Sequence, residues 1–293
     1  MASAKIKRTT GEQIVFSVAF VILAIFSLFV LYHLYFLLQL ATKADQQELA
    51  QCIIDTTLAT WSPNITFSHF LEAFVEFELD DGSRFFDLIF NSIWYSLGSE
   101  IIILFFQSLL AYTLCKYKFV GRNFIYNLII IRMTIPIYGN LPAALRFYSA
   151  SGLMNSPLIL ITACDCLSSS ALIMYAFYKG ISWEYAEAAF IDGATHFQVY
   201  FKIMFPMALP AISVLFITGF IGRWNEYMAI LLYLPKLPTL SYAMYIYEEK
   251  NKYAGNFPVY FSGVLIAAAP CITLFLIFQN SIMQTVHLGG IKG

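Results

Sequence analysis

Apolar residues in this chain gather into long unbroken runs separated by short polar stretches, with none of the period-two alternation of half-buried strands. Six runs stand out, at roughly 14–40, 88–115, 124–147, 156–178, 206–233 and 258–283. A helix needs about 20 mostly apolar residues to cross the hydrocarbon core of a bilayer. Each run therefore predicts one spanning helix, and the chain reads as an all-α membrane protein with six transmembrane helices. The first run has no Asp, Glu, Lys or Arg between Gln13 and Thr42, and the last lies in an uncharged stretch from Tyr253 to Ile291. The first is too long for a signal-peptide core and is not followed by a small-residue cleavage pattern, so it reads as retained.

Composition supports the same class. Of 293 residues, 59% are hydrophobic and 12% charged, whereas soluble chains carry about 25% charged residues. A soluble fold of this length would need more polar covering. The net charge of −1 offers no basic field for nucleic acid. Of the five cysteines, Cys52 lies in a polar segment and Cys115, Cys164, Cys166 and Cys271 lie in or beside apolar runs, so neither a disulfide framework nor a zinc spacing follows. His33, His69, His196 and His287 are scattered, and no metal site is assigned.

Orientation follows from Lys and Arg in the connections. With Lys5, Lys7 and Arg8 inside, six spans place Lys116, Lys118, Arg122, Lys179, Lys202 and Lys292 on the same side, nine in all. Six positive charges fall outside, in or near loops that include the acidic stretch 41–87. Both termini are expected in the cytoplasm. The expected organisation is a cytoplasmic N-terminus 1–13, a first span 14–40, an extracytoplasmic loop 41–87, a five-helix core 88–283 that includes the connection 179–206, and a cytoplasmic tail 284–293. Asn64-Ile65-Thr66 is a three-residue glycosylation pattern of a kind common by chance.

The connection between spans four and five reads EYAEAAFIDGATHFQVYFKIMFP from Glu184 to Pro206. Asp192-Gly193-Ala194 predicts a reversal, because glycine adopts turn conformations without steric cost. Ser182 is an expected N-cap of the first short helix, and Thr195 with Gln198 forms a capping-box pattern for the second. Ala188 and Ala189 beside Glu187 leave a low surface that another protein can approach closely. Phe197, Tyr200, Phe201 and Met204 form an apolar stripe, part of which must pack on the membrane domain. On residue chemistry alone, an amphipathic connector at the membrane interface and a docking element are equally supported.

In pattern, Glu187-Ala188-Ala189, Asp192-Gly193-Ala194, Ile203 and Pro206 resemble the EAA loop of permease subunits in bacterial ATP-binding-cassette (ABC) importers. Phe220-Ile221-Gly222-Arg223-Trp224-Asn225-Glu226-Tyr227, the stretch Ala111-Tyr112 through Lys118-Phe119-Val120-Gly121-Arg122, and the terminal Gly289-Gly290-Ile291-Lys292-Gly293 are similar to the maltose-type, carbohydrate-importing branch. The likeness runs from about residue 88 to the end. Departures are Phe205 for a frequent Leu, Ser182 for a common Pro, and Arg223 where a small residue is usual.

The resemblance implies a type I ABC importer permease fold with a cytoplasmic EAA coupling helix between spans four and five. It implies that Glu184, Glu187, Ala188, Ala189, Asp192, Gly193 and Ala194 couple to an ATPase, and that Gly289, Gly290 and Lys292 lie near it. It further implies a second homologous permease, two ATPase subunits, an extracytoplasmic sugar-binding protein, and a place in the bacterial plasma (inner) membrane. This chain has no phosphate-binding Gly-x-x-x-x-Gly-Lys-Ser/Thr loop. ATP and Mg therefore belong to the partner ATPase, and the chain itself reads as non-catalytic and without a cofactor.

Glu100, Arg132, Asp165, Arg223 and Glu226 fall inside the expected spans, where each charge costs about 2.5–3.5 kcal/mol unless paired or wet. Arg223 and Glu226, three apart on one helix, either pair with each other or meet substrate. Arg132 has Asp165 and Glu100 as possible partners. Trp224, Asn225, Glu226, Arg223, Arg132 and Asp165 are the candidate substrate path, Trp224 and Asn225 foremost, since sugars are bound by aromatic faces and amide groups. The competing reading is an ion-coupled secondary transporter that uses intramembrane carboxylates. It predicts an inverted repeat, and none is visible.

Overall fold

The computed structural model describes residues 9–43, 65–135, 141–162, 165–251 and 256–289. Every element among them is helical, apart from one isolated bridge between Lys43 and Ile65. Two compact units emerge, residues 1–76 with 250–266 and residues 77–249 with 267–293.

In the first unit, helix α1 (Thr10–Thr42) opens on a complete capping box. The Glu12 amide donates to Thr9 Oγ1 at 3.4 Å and the Thr9 amide to Glu12 Oε2 at 2.8 Å. Its apolar side chains are exposed almost all round, from Ile14 to Tyr35. Such a helix is stable only in an apolar surrounding. Near its end Leu40 packs with Phe36, Phe257 and Phe261, and Ser262 donates to the Ala41 carbonyl. Helix α2 (Ser68–Glu76) is held by His69, whose ring nitrogens contact Glu72 Oε2 at 2.9 Å and the Lys43 carbonyl at 3.2 Å. The His69 contact, outweighing a small opposing burial effect, holds the Glu72 carboxyl below the usual range.

In the second unit, α3 (Phe85–Lys116) is the central element. Its buried positions, among them Leu88, Ser92, Tyr95, Ser99, Ile103, Gln107, Ala111 and Leu114, recur every three to four residues. Small residues on that face let neighbouring helices approach closely. Ser92 and Ser99 bond back to their own helix, at the Leu88 and Tyr95 carbonyls, so these two hydroxyls bring no unmet polar group, whereas the buried Ser96 hydroxyl has no hydrogen-bond partner among the described residues. Against this face pack α7 (Ser169–Gly180) and α10 (Phe205–Trp224).

The region expected as span three carries α4 (Arg122–Thr134) and α5 (Leu141–Ala150). The region expected as span four carries α6 (Ile159–Thr162) and α7, with non-helical backbone at 165–168. Helices α8 (Glu184–Ile191) and α9 (His196–Val199) follow. A π turn, Tyr200–Met204, then joins α9 to α10 without a break. Among the described residues, four helical runs are long and apolar enough to span a membrane: Thr10–Thr42, Phe85–Lys116, His196–Trp224 and Phe257–Gln279.

Two expectations need correcting. Runs 124–147, 156–178 and 206–233 are not single helices: α4 ends at Thr134 with extended backbone at Ile135, and residues 165–168 are non-helical. The helix that begins at Phe205 stops at Trp224: the Asn225 N–H still makes the helical bond to Ile221, but the Glu226 N–H bonds to the Arg223 carbonyl at 3.2 Å, one residue short of the helical partner, and the Asn225 side-chain amide takes the Ile221 carbonyl at 2.9 Å. A separate α11 (Met228–Tyr233) follows. Ser182 is not the N-cap of α8. Trp183 is, and the Ser182 hydroxyl accepts the Glu184 amide from one residue further back.

At the other end of this unit from α8, Tyr95, Ile159, Leu160, Ile230, Tyr233 and Leu234 form an apolar cluster. Asn155, in the left-handed region at φ 57°, donates its N–H to the Tyr233 carbonyl and accepts the Lys236 N–H through Oδ1. Asn tolerates that conformation better than bulkier residues. The remaining helices are α12 (Leu240–Asn251) and α13 (Phe257–Gly289).

Candidate functional site

The segment 184–199 folds as helix, turn, helix. Gly193 sits at φ +83°. Its N–H donates to the Phe190 carbonyl at 3.0 Å, and the Ala194 N–H to the Ala189 carbonyl at 2.9 Å. This pair of bonds is a complete Schellman motif, which satisfies the last carbonyls of α8 and reverses the chain. Helix α9 opens on the Thr195 and Gln198 capping box that their spacing predicts, with bonds of 3.3 and 2.8 Å. Asp192 is the C-cap of α8.

One side of this unit faces outward. Glu184, Glu187, Ala188, Asp192 and Gly193 are exposed, Ala189 and Ala194 half-buried. Ile191 at 86% and Phe197 at 74% are bare apolar side chains on the same segment. The other side is fixed to the helices beneath. Ala186, Val199, Tyr200 and Met204 are fully buried in a cluster with Leu104, Tyr112, Met174 and Tyr178. The stripe from Phe197 to Met204 thus divides, with Tyr200 and Met204 inward and Phe197 and Phe201 outward.

Polar contacts sharpen that attachment. The Ser108 hydroxyl lies 2.7 Å from the Tyr178 hydroxyl and accepts from the Tyr200 hydroxyl at 3.0 Å. This buried triad joins α3, α7 and the π turn. Lys116 Nζ donates to the Ile181 carbonyl at 2.6 Å, and the Tyr117 hydroxyl lies 2.9 Å from His196 Nδ1. The rings of Tyr117, Trp183, Phe190 and His196 pack around them edge to face, apart from Trp183 and Phe190, which are tilted at 55°. None of Ser108, Lys116, Tyr117, Tyr178 or His196 carries a local sequence signal for this role. They meet only because α3 and α7 pack side by side.

The intramembrane charges sort into three places. Arg132 pairs with Asp165 and donates also to the Leu167 carbonyl at 3.0 Å. Of the partners open to Arg132, the structure takes Asp165 and leaves Glu100 elsewhere. Glu100 is 5% exposed, and no ion pair joins it to Arg223 among the described residues. A Cβ added at Gly219 would strike the Glu100 carboxylate, so glycine there makes the room that Glu100 occupies. Of the two readings of Arg223 and Glu226, their mutual pair is not made among the described residues: the helix ends between them and Glu226 Oε1 accepts the Ala229 N–H at 3.0 Å.

Trp224 is buried and donates Nε1–H to the Ala267 carbonyl at 2.9 Å, with its ring stacked on Phe220. Asn225 is exposed and Glu226 half-exposed. Gln107, which sequence reasoning passed over, donates to the Asp165 carbonyl at 2.5 Å and to Ser168 Oγ at 2.8 Å. Of the tail, Gly289 is the last residue of α13, while Gly290 and Lys292 lie outside the described residues.

Residues 107–287 match the family described as binding-protein-dependent transport system inner membrane component. The arabinooligosaccharides transport system permease protein AraQ of Bacillus subtilis (strain 168) is 27% identical over 217 residues, 74% of this chain and 77% of that protein. The sulfoquinovosyl glycerol transport system permease protein SmoH of Agrobacterium fabrum is 28% identical over 239 residues, 80% of this chain and 81% of that one. The crystal structure of a bacterial ABC transporter involved in the import of the acidic polysaccharide alginate contains a chain similar in fold, with a TM-score of 0.75 at 22% identity, covering 95% of this chain and 100% of that chain.

Proposed function

The chain belongs to the binding-protein-dependent transport system inner membrane component family, and from that premise we propose that it is a permease subunit of an ATP-driven importer of a sugar or oligosaccharide. Family and apolar helices together make it a multi-pass membrane component and not an ATPase. Its relatives named for arabinooligosaccharides and sulfoquinovosyl glycerol support a carbohydrate cargo.

In this reading six spans cross the bacterial plasma membrane with both termini in the cytoplasm. A second, homologous permease completes the path, two ATP-binding-cassette subunits drive it, and an extracytoplasmic binding protein delivers the sugar. Residues 184–194 form the coupling element, and Gly289, Gly290 and Lys292 approach the ATPase from the tail. Arg132, Asp165, Arg223, Asn225 and Glu226 lie along the substrate path, and Trp224 holds the helix end beside it.

The observation that carries the proposal is the two-sided build of 184–199. Exposed Glu187, Ala188 and Ile191 offer a surface to a partner, while Ala186, Val199 and Tyr200 are locked into the helices beneath. A rigid unit fixed on one side and free on the other passes rigid-body motion from partner to span. The test is purification of the chain from its native membrane in mild detergent, with mass spectrometry of what accompanies it. A second six-span permease and an ABC ATPase are expected, and Glu187→Arg should lose the ATPase while keeping normal membrane abundance. Undiminished ATP-dependent uptake by Glu187→Arg would remove the coupling role, and a chain recovered alone that transports without ATP would favour the ion-coupled reading.

A further inference from the structure

A polar group within the second unit lies apart from the coupling segment, at a depth that bears on transport. Counting from the end that carries α8 and α9, Gln107 is nine residues from Lys116 along α3, Arg132 ten from Arg122 along α4, and Ser168 twelve before Gly180. At 1.5 Å per residue these are roughly 13, 15 and 18 Å, near the middle of a hydrocarbon core about 30 Å thick.

Backbone at this level is irregular. Residues 165–168 are non-helical, and α4 gives way to extended backbone at Ile135. Non-helical backbone at such depth is tolerated only where it is buried in protein or lines a wet cavity. The side chains of Arg132 and Asp165 are 43% and 38% exposed, and charged groups at this depth do not face acyl chains. This face of the unit therefore meets protein or water.

The hydrogen bonds made here leave others open. Arg132 uses Nη1 for both Asp165 Oδ1 and the Leu167 carbonyl. Gln107 uses Nε2 for both the Asp165 carbonyl and Ser168 Oγ. Among the described residues, Nε and Nη2 of Arg132 and Oδ2 of Asp165 make no hydrogen bond, and the buried Oε1 of Gln107 has no partner. The group is neutral as a whole, yet it presents donor and acceptor edges side by side. A hydroxyl both donates and accepts, so neighbouring hydroxyls of a polyol complement such edges, whereas an ion needs net opposite charge.

We propose that Arg132, Asp165, Gln107 and Ser168 form a midplane station that binds the hydroxyl groups of a neutral sugar during its passage. This deepens the sugar-permease reading and rests on it. The Arg132 fork and the Asp165 carboxylate engage the ligand directly, and Gln107 and Ser168 hold the non-helical loop that presents Asp165.

The test uses the whole transporter in proteoliposomes with its binding protein, and measures initial uptake of tritiated arabinotriose, galactobiose and maltotriose. Arg132→Lys keeps the charge and the ion pair but loses the planar fork, so the apparent KM for the transported probe should rise about tenfold or more. Exchanging the pair, Arg132→Asp with Asp165→Arg, restores a packing ion pair without restoring the arrangement of edges, so normal membrane abundance with a raised KM is expected. A KM within twofold of wild type in both variants would overturn the station and leave the pair a packing feature. Absence of ATP-dependent uptake of every probe by the wild-type transporter would overturn the sugar-permease reading and the station with it. The two failures are thereby distinguished.

Discussion

Ser108, Tyr178 and Tyr200 show how a few hydroxyls tie three helices together. Each is buried, and each hydroxyl is satisfied by another. Removing one partner strands the others away from water, at a cost of about 1–3 kcal/mol. Ser108→Ala is therefore expected to damage uptake more than abundance, because it loosens the foot of the coupling segment while leaving the apolar cluster around Tyr112 and Met204 in place. The ratio of sugar transported to ATP hydrolysed in proteoliposomes checks this, and an unchanged ratio would make the triad ordinary packing. Gly219→Ala would instead drive a methyl group into the Glu100 carboxylate. It should lower membrane abundance, measurable by immunoblot, because a buried carboxylate has few places to go. None of these roles was legible locally. A serine in an apolar run, or a glycine four residues before an arginine, has the same appearance whether it faces lipid or a partner helix.

Elements were more legible, and for a physical reason. The turn at Asp192-Gly193-Ala194 and the Thr195–Gln198 box are encoded within a few residues, since capping bonds reach only three to five positions along the chain. The structure reproduces both. Gly193→Ala meets no atom within 4 Å, so its effect is purely one of backbone, about 1–2 kcal/mol for an L-residue held in the left-handed region. The expected outcome is weakened retention of the ATPase on purification with little loss of the chain itself. Equal loss of both would place the defect in folding. The π turn at Tyr200–Met204 was not legible, nor was the helix end at Trp224. Both depend on what the neighbouring helices offer, and a hydropathy run does not record where backbone bonds change partner.

At the scale of the molecule, the six apolar runs and their charge bias imply a topology with both termini inside. Single cysteines at Thr9 and at Asp81 check it, in a background lacking the native cysteines. Labelling of intact cells by an impermeant maleimide should reach Asp81→Cys and spare Thr9→Cys until the cells are lysed, and labelling of both before lysis would defeat that topology. The membrane class was settled by composition, because 12% charge cannot cover a soluble core of this size. The likeness of pattern at 187–206 and 220–227 pointed to a permease, and the family match at 107–287 carries that conclusion.

By itself the amino-acid sequence determined the solvent this protein lives in, the helical class and the capped reversal at Gly193, since each follows from total apolar length or from contacts a few residues apart. Which charge meets which was decided only in three dimensions. Arg132 has two candidate carboxylates and takes Asp165, Glu100 lies instead in the space left beside Gly219, and Trp224 packs inward on the Ala267 carbonyl. Those choices depend on helix rotation and on where helices stop, and both are set by packing between segments some 30 to 120 residues apart in the chain.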